Sequence, residues 1–143
     1  MGYVDIGKVF DGYQRTKASD ASLEGKGKEK EAELEGRMTE LKKLRQNLEL
    51  LSEEKRETKA REIEERSEEL QRFRTSTARD LRRERDKVAR EILKEIQQGI
   101  EQYAKANNFS LILDQRSLLY GQPSQDVTDE ILKLLNSRQA AHP

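Results

Sequence analysis

The sequence predicts an α+β protein that is mostly α: a small β-rich body through which copies of the chain assemble, with one long antiparallel helical hairpin, a coiled-coil arm, per subunit. Three observations predict it. Residues 22–107 contain no proline and consist mostly of Glu, Lys, Arg, Leu, Gln and Ala, residues that lose little side-chain freedom in a helix. Within that region two narrow apolar stripes are separated by residues 52–62, which hold no large apolar side chain. Strand-like segments stand at both outer ends, so folding the helical region in half brings them together.

Tyr3-Val4-Asp5-Ile6 alternates as a short strand does, and Gly7 ends it. Over residues 8–16, Val9, Phe10 and Tyr13 recur at helical spacing, the start of a helix packed on a neighbour. The outgoing arm places Leu34, Met38, Leu41, Leu48 and Leu51 at spacings of four, three, seven and three, with Leu44 beside them. That is a helix burying one narrow face. Its opening, residues 21–36, is the weakest part. Gly25, Gly27 and Gly36 each cost about 1 kcal/mol relative to alanine inside a helix, and Lys26, Lys28 and Lys30 deprive the stretch of a strong seam. These glycines read as a tolerated weak helix or, alternatively, as a flexing point where arms splay.

The tip is expected at about residues 52–60, with Ser52 or Thr58 capping the returning helix and Glu62 an acid early in it. One unbroken helix pairing only with other chains is the alternative, because this turn holds neither Gly nor Pro. The strands at both ends favour the hairpin. The returning arm carries Ile63, Leu70, Phe73, Thr77 and Leu81, then Val88, Ile92, Ile96, Ile100 and Tyr103, with a spacing that drifts toward four as in a nearly straight helix. At 1.5 Å per residue, an arm of about 35 to 45 residues reaches roughly 50 to 70 Å, too long and thin for a globular core.

Ala106-Asn107-Asn108 is a helix stop in which Asn takes the left-handed conformation. Phe109-Ser110-Leu111-Ile112-Leu113-Asp114 reads as a buried strand, Gln115-Arg116 as a turn, and Ser117-Leu118-Leu119-Tyr120-Gly121 as the partner strand of a hairpin. After a loop over residues 122–125, Asp126 or Thr128 caps a last helix. Its apolar face is Ile131, Leu132, Leu134 and Leu135, and it ends at Asn136. Residues 137–143 are expected to be a flexible tail. Residues 1–20 and 107–136 thus form a composite body and residues 21–106 the arm. A body of roughly 50 residues is near the size at which a lone domain is marginal. It is expected to share its core between copies through Tyr3, Val4, Ile6, Val9, Phe10, Leu111, Ile112, Leu113, Leu118, Leu119, Tyr120, Ile131 and Leu135.

Composition narrows the function. Charged residues make up 39% and hydrophobic ones 33%, a balance suited to narrow seams rather than a compact core. With 28 basic and 28 acidic side chains the formal net charge is zero, so global attraction to nucleic acid or membrane is unsupported and no nucleic-acid partner is expected. There is no cysteine, hence no disulfide framework or thiolate chemistry. The single histidine, His142, leaves no material for a His-dependent triad or metal site, and no phosphate-binding Gly-Lys motif is present. An enzyme, a metal and a cofactor are therefore not expected. The opening Met1-Gly2-Tyr3-Val4-Asp5 lacks a signal-peptide core, as in a cytosolic protein or a mature exported chain with an added Met.

One charge asymmetry stands out. Residues 72–94 hold nine basic side chains against four acidic ones, whereas residues 49–69 hold nine acidic against five basic. Charge pairing within and between arms is the first reading. A basic band centred on Arg82, Arg83 and Arg85, meeting acidic client segments or lipid phosphates, is the second. Met38, Leu41, Leu48, Leu51, Leu70 and Phe73 are seam residues or, where they face a cavity, client contacts.

The order of segments resembles the Skp/OmpH family of periplasmic chaperones. The resemblance rests on Tyr3-Val4-Asp5-Ile6-Gly7-Lys8-Val9-Phe10, a charged helical hairpin, Phe109 to Asp114 followed by Leu118-Leu119-Tyr120, and Asp126-Val127-Thr128-Asp129-Glu130-Ile131-Leu132 running to Leu135-Asn136. It implies a homotrimer whose β-rich body carries three hairpin arms around a cavity. It also implies an ATP-independent holdase for unfolded outer-membrane proteins, a periplasmic location after removal of a signal peptide, and contact with lipopolysaccharide or the membrane surface. Members are often markedly basic, whereas this chain is neutral. Rival readings are a prefoldin-like cytosolic chaperone, a coiled-coil scaffold without clients, and a nucleic-acid binder using the basic band.

Overall fold

The computed structural model describes residues 1–141 and shows a mostly helical α+β chain with a small two-stranded sheet. In chain order the elements are β1 (Gly2–Val4), α1 (Ile6–Gly12), α2 (Gln14–Leu48), α3 (Glu53–Ala106), β2 (Ile112–Asp114), two single 3₁₀ turns (Gln115–Ser117 and Pro123–Gln125) and α4 (Thr128–Ala141). They sort into two units, one made of Met1–Ser22 with the residues from Asp86 onward, the other of Leu23–Arg85. Residues 86–106, read from sequence as arm, thus belong with the first unit, because Ile92 and Ile96 are fully buried in its core.

In the first unit β1 and β2 pair in parallel, with Gly2 opposite Ile112, Tyr3 opposite Leu113 and Val4 opposite Asp114. A parallel pair requires a crossover, and here α1, α2 and α3 together supply it. Beyond β1, the Val127 N–H donates to the Tyr3 carbonyl at 2.9 Å. The core joins Val4, Val9, Tyr13, Ile92, Ile96, Val127, Ile131 and Leu135. Close approach makes it possible: a Cβ on Gly99 would lie 2.7 Å from Leu135, and one on Gly12 2.7 Å from Leu132.

Several local expectations are corrected. The first strand ends at Val4, not Ile6, because the Asp5 carboxylate accepts the Lys8 N–H at 3.1 Å and starts α1 at Ile6. Tyr13 is extended and separates α1 from α2. Asn136 bridges this break, its Oδ1 accepting the Gln14 N–H at 2.9 Å and its Nδ2 donating to the Gly12 carbonyl at 3.3 Å. Asn136 therefore sits within α4, which runs on to Ala141 through residues expected to be tail; His142 and Pro143 lie outside the described residues.

Asn108 does take the left-handed conformation, at φ 58°, and the Phe109 N–H closes the end of α3 on the Ala104 carbonyl at 2.9 Å. The expected β-hairpin after it does not form within the chain. Only Ile112–Asp114 is strand, and the Asp114 carboxylate accepts the Arg116 N–H at 3.1 Å, turning the backbone into a 3₁₀ turn. Leu118 to Gly121 consequently form no strand, with Leu119 wholly exposed, Tyr120 80% exposed and Leu111 46% exposed.

In the second unit α2 and α3 lie antiparallel. Successive steps up one helix meet steps down the other: Lys26 with Glu84, Arg37 with Phe73, Glu40 with Arg66. The turn between them falls at residues 49–52, earlier than the expected 52–60. Its geometry explains the shift without Gly or Pro. The Ser52 carbonyl accepts the Arg56 N–H at 2.8 Å, so Ser52 takes the cap position with Glu53 and Glu54 in the first turn. The Arg56 guanidinium donates at 3.3 Å to the carbonyls of Glu49 and Leu51, which the end of α2 leaves free. Thr58 lies inside α3 instead, its hydroxyl donating to the Glu54 carbonyl.

Candidate functional site

The hairpin unit offers a surface rather than a cleft. Among its described side chains only two large apolar ones are buried, Leu41 and Ile63. Leu48, Leu51, Leu70 and Phe73 are half-buried, and Met38 is 45% exposed. Charge takes over where apolar packing stops. The Arg37 guanidinium stands 4.1 Å from the Phe73 ring centre with the Lys30 ammonium at 5.7 Å, and Arg74 donates to the Met38 sulfur at 3.7 Å. Lys26 pairs with Glu84, and Arg66 reaches Glu40 at 4.0 Å. Such exposed ion pairs are worth about 0 to 1 kcal/mol each, and cation–π contacts at exposed sites about 0.5 to 1 kcal/mol. Lys59, 2.8 Å from Glu62, lowers that carboxylate below its ordinary pKa by hydrogen bonding and charge, with Arg66 adding to it.

Two open grooves lie in this unit. One of about 280 Å³ is lined by Arg37, Glu40, Leu41, Arg66, Glu69 and Leu70, the other of about 380 Å³ by Leu23, Glu24, Ala78, Leu81, Arg82 and Arg85. Arg82 and Arg85 therefore stand together, whereas Arg83 is about 100° round the helix from Arg82. All three are exposed. Part of the band is paired within the chain. Arg79 contacts its neighbour Asp80 at 3.7 Å, and Glu84 is engaged by Lys26, but Arg82 and Arg83 make no ion pair among the described residues.

In the first unit Tyr3, Val4, Val9, Ile131 and Leu135 are core, while Ile6, Phe10, Ile112, Leu113 and Leu118 are half-buried. Sequence reading missed a polar cluster beside that core. The Tyr13 hydroxyl donates to Glu95 at 3.2 Å and accepts from Gln139 at 3.3 Å, and Arg15 pairs with Glu95 and, at 3.4 Å, with Glu91. Burial raises the Tyr13 pKa and the Glu95 charge adds to it. The hydrogen bond to Glu95 raises that of Arg15. Tyr13, at the break between α1 and α2, meets Glu95 of α3 in a register that is set by packing and leaves no sequence spacing to read.

Among the described residues no group of three or more His, Asp or Glu is placed to hold a metal ion, and no helix is long and apolar enough to cross a membrane. The chain is thus of the class that combines a charged helical hairpin with a small α+β unit. Residues 1–135 match the family described as Outer membrane protein (OmpH-like), and the chain belongs to that family. The OmpH/Skp family consists of non-catalytic periplasmic chaperones, and membership supports a general holdase role. Among solved structures, an OmpH-like protein of Caulobacter crescentus superimposes with a TM-score of 0.87 at 21% identity, over 96% of this chain and 83% of that one. At that identity the likeness speaks for the fold. No curated protein matches the chain.

Proposed function

We propose that the protein is an ATP-independent periplasmic holdase that encloses unfolded outer-membrane β-barrel proteins between the hairpin arms of a homotrimer. The observation that carries this reading is the composition of the hairpin surface: Met38, Leu48, Leu51, Leu70 and Phe73 remain partly accessible among closely spaced charges of both signs. Many weak apolar and polar contacts suit capture of chains that share no fixed shape. Binding of that kind lowers the free concentration of unfolded chain and so slows its aggregation. Self-association is supported by Leu111, Leu119 and Tyr120, large apolar side chains that lie exposed in the first unit.

A second contact is proposed for the same protein, between Arg82, Arg83 and Arg85 and the phosphates of lipopolysaccharide or of a membrane surface. Arg82 and Arg83, exposed and without ion partners among the described residues, support it. A triple Glu variant at these positions that kept its lipid affinity at low salt would exclude it. The main reading is tested by light scattering from a urea-unfolded outer-membrane β-barrel diluted into buffer with this protein and no nucleotide. Suppression is expected to saturate near one trimer per client. An intact oligomer that leaves scattering unchanged would favour a scaffold without clients.

A further inference from the structure

Gly25, Gly27 and Gly36 in α2 have nothing within 4 Å of where a Cβ would stand, and no glycine in the described chain has a positive φ. Neither packing nor backbone geometry asks for glycine there, so their remaining physical effect is a weaker helix. Contacts over the same stretch are slight. Of its large apolar residues Leu23 and Leu34 are only half-buried, Lys26 holds Glu84 with both side chains substantially exposed, and Lys30 stands 5.7 Å from the Phe73 ring centre. Along the chain, buried Thr16 precedes the stretch and buried Leu41 follows it. The 380 Å³ groove lined by Leu23, Glu24, Ala78, Leu81, Arg82 and Arg85 opens between α2 and α3 at this same place.

We propose that residues 23–36 of α2 unwind from α3 as a local unit while Leu41 and Ile63 stay buried, and that the uncovered stripe of Phe73, Thr77 and Leu81 receives an apolar segment of a held, unfolded chain. The second half rests on the holdase reading. Half-buried side chains on α3 lose their cover when the facing turns of α2 unwind, and an incoming apolar segment restores it. Arg82, on the rim of the groove and without an ion partner among the described residues, favours a segment flanked by carboxylates. The hairpin seam itself then becomes a client surface, available in proportion to how often α2 opens.

Amide hydrogen exchange on the full chain tests the unwinding, since helical amides exchange only when their hydrogen bonds break. Amides of residues 23–36 are expected to be protected at least tenfold less than those of residues 88–100. Replacing all three glycines by alanine is expected to raise their protection roughly a hundredfold, the factor to which three such helix penalties amount. Equal protection of the two regions, or no rise in the triple variant, would overturn the proposal. For the client, a photo-cross-linking phenylalanine derivative replaces Phe73, and a urea-unfolded β-barrel is diluted in. Cross-linking is expected, and is expected to fall severalfold when Gly25, Gly27 and Gly36 are also alanine. Equal cross-linking in both backgrounds, or suppressed aggregation without cross-linking, would overturn the uncovering. Failure of the unaltered protein to suppress aggregation would instead sink the holdase reading, and the exchange result would still decide the unwinding.

Discussion

Gly99→Ala and Gly36→Ala, two identical replacements inside helices, are expected to change stability in opposite directions. Both remove glycine's helix penalty, a gain of about 1 kcal/mol. At Gly36 nothing lies within 4 Å of the new methyl, so that gain stands alone. At Gly99 the methyl would sit 2.7 Å from Leu135 Cδ2 and 3.1 Å from its Cγ, against a comfortable carbon–carbon separation of about 3.5 to 4.0 Å. Leu135 is 1% exposed and belongs to the same core cluster as Val9, Tyr13, Ile96 and Ile131, so it has little room to turn aside. Overpacking of this kind costs about 1 to 3 kcal/mol, leaving a net loss of roughly 0 to 2 kcal/mol after the helix gain. Urea melts followed by circular dichroism, at equal protomer concentration because assembly contributes to stability, measure both. In a Leu135→Ala background the clash is gone, and Gly99→Ala is expected to become stabilising, a coupling of about 1 to 3 kcal/mol. If Gly99→Ala stabilised the unaltered chain as much as Gly36→Ala does, the close-approach explanation of Gly99 would be wrong.

Asn136→Ala removes both hydrogen bonds that span the break between α1 and α2 and is expected to cost about 1 to 2 kcal/mol in the same melts; Asn136→Asp, which keeps only an acceptor for Gln14, should fall between. A Leu119→Glu, Tyr120→Glu double variant is expected to keep its helical signal and lose its self-association by size-exclusion chromatography with light scattering, because both side chains are exposed within the chain. Unchanged mass would remove these residues from the assembly surface. Tyr13 has its pKa raised in the folded state, by burial first and the Glu95 charge second. Its contribution is therefore fully present below the unfolded value of about 10 and is lost as pH rises through the folded value. Tyr13→Phe should flatten that alkaline loss in pH-dependent melts, and an unaltered profile would count against it.

The long helices were legible because propensity and spacing act locally. Leu41 and Ile63 fall on the stripes read from sequence, and Ile92 and Ile96 on the continuing one. The turn was displaced because the gap in the stripe marks where no packing is required, whereas the turn itself is placed by hydrogen bonds. Arg56 reaches back to the carbonyls of Glu49 and Leu51 in the turn, and a side chain seven and five residues from its acceptors leaves no periodic mark. The missing β-hairpin has a different cause. Leu118, Leu119 and Tyr120 have strand composition, but strand pairing needs a partner, and within one chain Asp114 turns the backbone away from β2. Composition told what these residues prefer without telling which chain provides the edge. At the candidate site, Arg82 and Arg83 were visible as charges, but their lack of ion partners among the described residues depends on where α2 places Glu24 and Lys26, a register that sequence does not state.

Seven of the eight glycines divide along the same line as the two units; Gly7, where a Cβ would meet only the Asp5 carboxylate at 3.4 Å, belongs to neither set. Gly2, Gly12, Gly99 and Gly121 lie in the first unit, and a Cβ at each would come within 3.0 Å of Phe109, Leu132, Leu135 and Tyr3 respectively. Gly25, Gly27 and Gly36 lie in the second, and a Cβ at any of them meets nothing. One residue type thus acts in two ways: in the first unit its small size permits close packing of helix on helix and loop on strand, and in the second only its poor helix propensity is left. A chain whose sole task was to hold two helices together would gain about 1 kcal/mol at each of the second set by carrying alanine. Alanine there would also keep Phe73, Thr77 and Leu81 covered for more of the time. Weakness confined to one helix of the hairpin, opposite the apolar stripe of the other, is what a surface that must be covered when empty and uncovered when occupied requires.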